Sequence, residues 1–263
     1  MTTCSSGAGP AGQRTIRIGV LVPMTLEGVG DKPLRELMEL YDMHKDPRTE
    51  LRVYRAERGS ATLECRYDEQ TCGAWCLPQV ERAERDGMDA VINACFGDPA
   101  LGASREAVSI PVVGTGQTSM FMAAMLGSRF SIIDTDAAAG PMIRDLVRLY
   151  GLEGHLVSMR HLGASVTEVL AGTTGEQASL SVLKEALRRE AALAVEEDDA
   201  DVIVLACGGL SMGGVVQWLQ AEIGVPVVDS NVLTLKMTEL LVKCGLSHSK
   251  KAFPLPRPKP RRW

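Results

Sequence analysis

Short apolar runs alternate with amphipathic segments along most of the 263-residue chain. Apolar stretches of strand length predict β-strands at 16–23, 51–56, 89–95, 110–113, 129–134, 155–159, 201–207 and 226–229. Between them, apolar residues at helical spacing predict helices at 33–44, 75–85, 119–126, 137–150, 180–191, 215–222 and 233–244. This alternation predicts an α/β fold whose largely parallel sheets are covered by helices on both faces.

The two ends of the chain depart from this pattern. Residues 1–14 are small, polar and rich in glycine, which predicts a flexible tail. Residues 249–263 contain four prolines and six lysines or arginines. They predict a basic, Pro-rich extension without regular structure, either solvated or in contact with an acidic partner or another subunit.

Composition and charge narrow the class of protein. A net charge of −5 disfavours nucleic acid or an anionic membrane as a partner. The chain has no apolar run near the roughly 18 residues of a membrane span, and its N-terminus has no secretory apolar segment, so we expect a cytoplasmic protein. Seven cysteines are too few for a disulfide scaffold of this length, and we expect free thiols.

Two of these cysteines lie in similar sequences. Residues 89–99 read DAVINACFGDP and residues 201–211 read DVIVLACGGLS, which gives Cys95 and Cys207 equivalent positions. Both are predicted at the carboxyl end of a parallel strand, where open α/β sheets bind ligands. Backbone amides that could bind an oxyanion follow them in the turns, at Phe96, Gly97, Gly208 and Gly209.

A pair of thiols in such positions has two interpretations. A helix N-terminus lowers the pKa of a thiol from its usual value near 8.5, which makes it a base. One thiol could then remove a proton from a carbon while the other donates a proton to the opposite face. Alternatively, both cysteines are small buried apolar residues at strand ends.

Several motifs between residues 64 and 250 carry a family resemblance. In chain order they are CFGDPALGASRE, IPVVGTGQTSM, LGSRFSIID, VIVLACGGL, IGVPVVD and GLSHSK. The chain resembles the aspartate/glutamate/hydantoin racemase superfamily, and within it the hydantoin and allantoin racemase branch. The resemblance implies two pseudosymmetric flavodoxin-like lobes with parallel sheets and an active site between them. We expect residues 15–109 and 225–248 to form the lobe that carries Cys95, and residues 110–224 the lobe that carries Cys207.

The resemblance also implies which residues form the site. Cys95 and Cys207 take the catalytic positions. The predicted substrate-binding residues are Pro23, Met24, Thr25, Phe96, Gly97, Asp98, Gly114, Thr115, Gln117, Thr118, Gly208 and Gly209. Relatives usually have an asparagine in the first turn and a glutamate where this chain has Gln117, so some polar contacts to the substrate differ.

The resemblance therefore implies a racemase or epimerase that works without metal or cofactor on a carbon next to a carbonyl, as in a 5-substituted hydantoin or a related ureido compound. Other reactions of the superfamily remain open: amino-acid racemisation, maleate-type isomerisation and malonate-type decarboxylation. A non-catalytic module that binds a small molecule is the alternative of another class. The expected partners are a small-molecule substrate and further copies of the chain, with neither nucleic acid nor membrane.

Overall fold

The computed structural model describes residues 14–174 and 177–260, with the side chains of 171–174 and 177–179 left aside. Within these residues, parallel strands form two sheets of four. The first sheet has the order β2-β1-β3-β4 and consists of β1 (Ile16–Val22), β2 (Thr49–Arg55), β3 (Ala90–Asn93) and β4 (Val112–Gly114). The second has the order β6-β5-β7-β8 and consists of β5 (Phe130–Asp134), β6 (Leu156–His161), β7 (Val202–Leu205) and β8 (Val227–Val228). The predicted α/β fold with two parallel-sheet lobes is confirmed.

Helices connect the strands of both sheets. They are α1 (Lys32–His44), α2 (Arg66–Arg85), α3 (Leu101–Ala107), α4 (Thr115–Leu126), α5 (Gly140–Leu149), α6 (Val166–Thr174), α7 (Gln177–Glu196), α8 (Val215–Ile223) and α9 (Ser230–Lys243). Helix α2 begins well before the predicted residue 75, and α3 and α6 were not predicted. The buried face of α2 includes Gly73 and Gln79 and so lacks a clear apolar stripe.

The central strands are apolar on both faces. Every residue of β3 and of β7 is buried, and Arg17 is the one exposed residue of β1. Strands covered by helices on both sides read as continuous apolar runs, which is why the sequence pattern located them.

The strand pairings correct the predicted division between the lobes. Strand β4 pairs with β3 in the first sheet, and β8 pairs with β7 in the second. The predicted boundaries at residues 110 and 225 therefore assign both strands to the wrong sheet. The sequence of so short a strand does not indicate which strand it pairs with, so its sheet is known only from the pairing itself.

Two helices cross between the lobes. Helix α4 follows a strand of the first sheet, yet its Met120 and Ala123 pack among the buried residues of the second. Helix α9 follows a strand of the second sheet, yet its Glu239 accepts a 2.7 Å hydrogen bond from the hydroxyl of Thr49 in the first. This exchange holds the two sheets against each other.

Part of each predicted tail lies outside the described residues, namely 1–13 and 261–263. At the C-terminal end, the prediction of a solvated or partner-bound extension is wrong for its first residues. The Lys250 ammonium donates hydrogen bonds to the carbonyl oxygens of Arg105 and Val108, and the Phe253 ring contacts His248 edge-on. These contacts attach the start of the basic segment to the first lobe.

None of the helices in the described part of the chain is long and apolar enough to cross a membrane.

Candidate active site

The two cysteines of the repeated pattern face one cavity between the sheets. Cys95 is the second residue after β3, and Cys207 is the second residue after β7. Because β3 and β7 hold the same place in the order of their sheets, the two turns are equivalent. Both residues line a cavity that is partly open to solvent.

Burial controls the chemistry of both thiols. It raises the pKa of Cys207 to about 12, and it raises the pKa of Cys95 well above its usual range. Backbone N–H groups of Gly97 at Cys95, and of Gly209 and Leu210 at Cys207, act in the opposite direction by hydrogen bonding to sulfur. At both sulfurs the loss of water therefore outweighs the amide contacts.

The thiols also influence each other. A charge on Cys207 raises the pKa of Cys95, as expected for two groups of like charge that share a cavity. A thiolate on one side therefore favours a neutral thiol on the other. One base and one acid is the protonation state that inversion of a carbon requires.

The cavity wall is mainly apolar and is built by both lobes. Its large apolar side chains include Leu34, Leu37, Leu63, Met142, Leu170 and Met212. The polar side chains are those of Glu64, Asp134, Thr135 and Asn231, together with the two thiols. No lysine, arginine or histidine is among the described lining residues. The wall therefore suits a ligand that is apolar over much of its surface and carries no negative charge.

The structure separates the predicted substrate-binding residues into two groups. Those that line the cavity with the thiols are Met24, Phe96, Gly97, Gly208 and Gly209. Those outside the described lining are Pro23, Thr25, Asp98, Gly114, Thr115, Gln117 and Thr118. The substrate contacts expected of the second group stay predictions. The segment 114–118 begins α4 and lies behind the Cys95 turn, and the Thr25 amide donates a 3.1 Å hydrogen bond to the carbonyl of Ser60.

Asp98 connects the Cys95 turn to α4. Its carboxylate accepts hydrogen bonds from the amides of Gly116 at 3.1 Å and Gln117 at 2.7 Å, and from the Tyr150 hydroxyl at 2.7 Å. The side chain is buried, and this burial raises its pKa to about 6 despite these donors. Gln117 in turn accepts a 2.6 Å hydrogen bond from Arg105. Asp98 therefore supports the wall of the site from behind.

Asn231 has a similar place at the other turn. Its side-chain amide donates a 3.0 Å hydrogen bond to the carbonyl oxygen of Gly208. The residue lies in the first turn of α9 and lines the cavity, so it fixes the turn that carries Cys207.

Sequence reasoning missed the polar wall residues. Asp134 ends a predicted strand, so the rule that ligands bind at the carboxyl ends of strands could have identified it. Thr135 follows it directly. Glu64 lies in a loop and Asn231 in the first turn of a helix, and neither position carries a comparable signal. Among the described residues, no group of three or more His, Cys, Asp or Glu is placed to hold a metal ion.

The chain is similar to known proteins in sequence and in structure. The sequence model of Asp/Glu/hydantoin racemases matches residues 32–238. The chain is 34% identical over 212 residues to a hydantoin racemase of Pseudomonas sp. (strain NS671), covering 80% of this chain and 82% of that one. It is 37% identical over 196 residues to a hydantoin racemase of Paenarthrobacter aurescens, covering 73% and 78%. The solved allantoin racemase from Klebsiella pneumoniae superposes with a TM-score of 0.81 at 31% identity, covering 93% of this chain and 95% of that one.

Proposed function

Because the chain belongs to the Asp/Glu/hydantoin racemase family and is an isomerase of the racemase type, we propose that it inverts the C5 carbon of a 5-substituted hydantoin. In this proposal Cys95 and Cys207 are the two acid–base groups, and no cofactor takes part. The observation that carries the proposal is that equivalent turns of two sheets bring both thiols to one cavity.

The reaction removes one proton from C5 and returns another to the opposite face. A thiolate on one cysteine takes the proton from C5, and the bonding electrons move into the neighbouring carbonyl to give an enolate. The thiol of the other cysteine then donates its proton to the opposite face of C5. The enolate is consumed, and the thiolate is now on the second cysteine. The reverse reaction starts from that state, so one pair of thiols interconverts both enantiomers.

The charge of the wall favours a neutral ring over an acid. Glu64 and Asp134 already place two carboxyl groups on the wall, and no cationic side chain is among its described residues. A substrate carboxylate would lose water there without gaining a cationic partner, which is unfavourable. An amino acid, a maleate-type diacid and a malonate-type acid each bring such a group, whereas a hydantoin does not.

The apolar wall favours an apolar substituent at C5. Side chains such as Leu37, Met142 and Leu170 contribute about 25 cal/mol for each Å² of apolar surface that a substituent buries against them. A 5-isobutyl or 5-benzyl group buries such surface. The polar ureido group of allantoin would need hydrogen-bonding partners that much of this wall does not supply.

Racemisation of enantiopure 5-benzylhydantoin, followed by optical rotation, tests the proposal. The wild-type protein should racemise it with a higher kcat/KM than allantoin. Cys95→Ser and Cys207→Ser should each lower the rate by at least about 100-fold, since each removes one acid–base group. Cys244→Ser is the matched control, because Cys244 is exposed at the end of α9 and should leave the rate unchanged.

Three results would contradict the proposal. Retention of the wild-type rate by either cavity variant would exclude the two-thiol mechanism. A preference for allantoin would exclude the assignment of an apolar substituent. Tight binding of hydantoins without any turnover would favour a non-catalytic binding module.

A further inference from the structure

Asp134 is a carboxyl group in the cavity wall that the two-thiol mechanism does not use. Strand β5 lies beside β7, with Ile133 opposite Leu205 in the register. The amide of Ala206 donates a 2.9 Å hydrogen bond to the carbonyl of Ile133. Asp134 and Cys207 therefore follow on adjacent strand ends, and both line the cavity.

One oxygen of this carboxyl group accepts hydrogen bonds within the protein, and the other accepts none from the described residues. Oδ1 accepts a 2.7 Å hydrogen bond from the amide of Thr135, and the Thr135 hydroxyl lies 3.4 Å from the same oxygen. No hydrogen bond or ion pair within the described residues reaches Oδ2. The residue is only 4% exposed, so the cavity is where Oδ2 can meet a donor.

A carboxylate oxygen that loses its water when a ligand fills the cavity is costly unless the ligand supplies a donor. Across the sheet, His161 is the register partner of Asp134, but its Nδ1 is itself buried without a partner. The described part of the protein therefore leaves a hydrogen-bond acceptor in the cavity wall, beside the second thiol.

A hydantoin ring carries two N–H groups that need acceptors when the ring leaves water. Building on the proposed function, we propose that Asp134 accepts a hydrogen bond from one ring N–H through Oδ2, and that it is a specificity-determining residue for N–H-bearing cyclic substrates. A charged acceptor beside the reacting carbon orients the ring toward Cys207. It also repels substrates that present a carboxylate at this position.

The test combines substitutions at residue 134 with methylation of the substrate. Three substrates are compared, namely a 5-benzylhydantoin and its N1-methyl and N3-methyl derivatives. Both kcat/KM and the Kd from calorimetry are measured for each. In the wild-type protein, at least one methylated compound should be about 10- to 100-fold poorer than the parent, because a charge-assisted hydrogen bond is lost.

Asp134→Ala should lower kcat/KM and weaken binding of the parent hydantoin by a similar factor. The parent and that methylated compound should then have nearly equal values of kcat/KM and of Kd, a ratio close to 1. Asp134→Asn keeps the shape of the side chain and should also reduce the ratio, which guards against a folding defect in the alanine variant. Asp136→Asn is the matched control. It removes the same charge two residues away, outside the described cavity lining, and should keep the wild-type ratio.

The inference is overturned if wild type shows no penalty for either methyl group. It is also overturned if Asp134→Ala and Asp134→Asn keep the wild-type ratios. Failure of the proposed function looks different, because the ratios in Kd would still depend on residue 134 although no hydantoin is racemised. A wild-type protein that neither binds nor converts any of the three compounds would overturn both.

Discussion

Asp98 lies outside the cavity, yet it contacts the turn that carries Cys95. It has a left-handed backbone, with φ of +47°, in the turn directly after Cys95. Its carboxylate holds the amides of Gly116 and Gln117 and so joins this turn to the start of α4. Neutralising this carboxyl group weakens the acceptor for two buried amides, so we assign Asp98 a positioning role.

Asp98→Asn should lower kcat by about 10- to 100-fold with a smaller effect on KM, because an amide is a weaker acceptor than a carboxylate and its NH₂ group cannot accept. Tyr150→Phe is the milder comparison, since it removes one donor and leaves both backbone contacts. Steady-state kinetics on enantiopure substrate measures both. A wild-type kcat in Asp98→Asn would contradict the positioning role.

The pH profile provides a second measurement at the same residue. The folded pKa of Asp98, about 6, lies above the ordinary carboxyl value of 3.8, so acidification favours the proton-bound folded state at this group and does not unfold it. The wild-type kcat should nevertheless fall as pH decreases through about 6, because the protonated carboxyl loses acceptor strength. Asp98→Asn should lack this acidic limb. If the variant kept the acidic limb of the kcat profile, that limb would arise from the titration of another group.

At the scale of elements, the contact between α4 and the Cys95 turn depends on a glycine. A Cβ at Gly116 would collide with the carbonyl oxygen of Phe96, and it would lie 3.1 Å from the Asp98 carboxylate. The close approach of these two backbones therefore requires the absence of a side chain.

Gly116→Ala should destabilise the protein by about 1–3 kcal/mol, because the collision is with backbone that cannot rotate away. Gly102→Ala in α3 is the matched control. A Cβ at Gly102 would meet no atom within 4 Å, and alanine favours a helix by up to about 1 kcal/mol. Urea unfolding of both variants measures the difference. Equal stability would show that the turn can move away from α4 at little cost.

The elements also show how far the sequence could predict the structure. Strands such as β3 and β7 are continuous apolar runs and were located to within a few residues. The sheet membership of β4 and β8 could not be predicted, because three- and two-residue strands are defined by pairing with distant partners. The exchange of α4 and α9 between lobes is likewise a property of tertiary packing.

The candidate site divides in the same way. Cys95 and Cys207 were predicted because a repeated pattern placed both at strand ends. Phe96 and Gly208 were predicted as site residues because they directly follow the two cysteines in the same turns. Asn231 and Leu170 could not be predicted, because they come from helices that only the assembled lobes bring to the cavity.

At the scale of the whole molecule, the proposed acid–base pair requires that both sheets be assembled. Cys95 belongs to a turn of the first sheet and Cys207 to a turn of the second. The crossing helices α4 and α9 hold these turns across one cavity. The central claim is that each lobe supplies one proton-transfer group, on opposite faces of the same carbon.

Early turnover in D₂O tests this claim most directly. One enantiomer of 5-benzylhydantoin is incubated with wild-type protein in D₂O, and deuterium is measured in substrate and product after chiral separation. Opposed thiols predict that the product carries deuterium at C5 from the first turnovers, while the remaining substrate keeps its hydrogen. Deuterium entering the remaining substrate as fast as product forms would indicate one base acting on both faces, and would contradict the two-thiol mechanism.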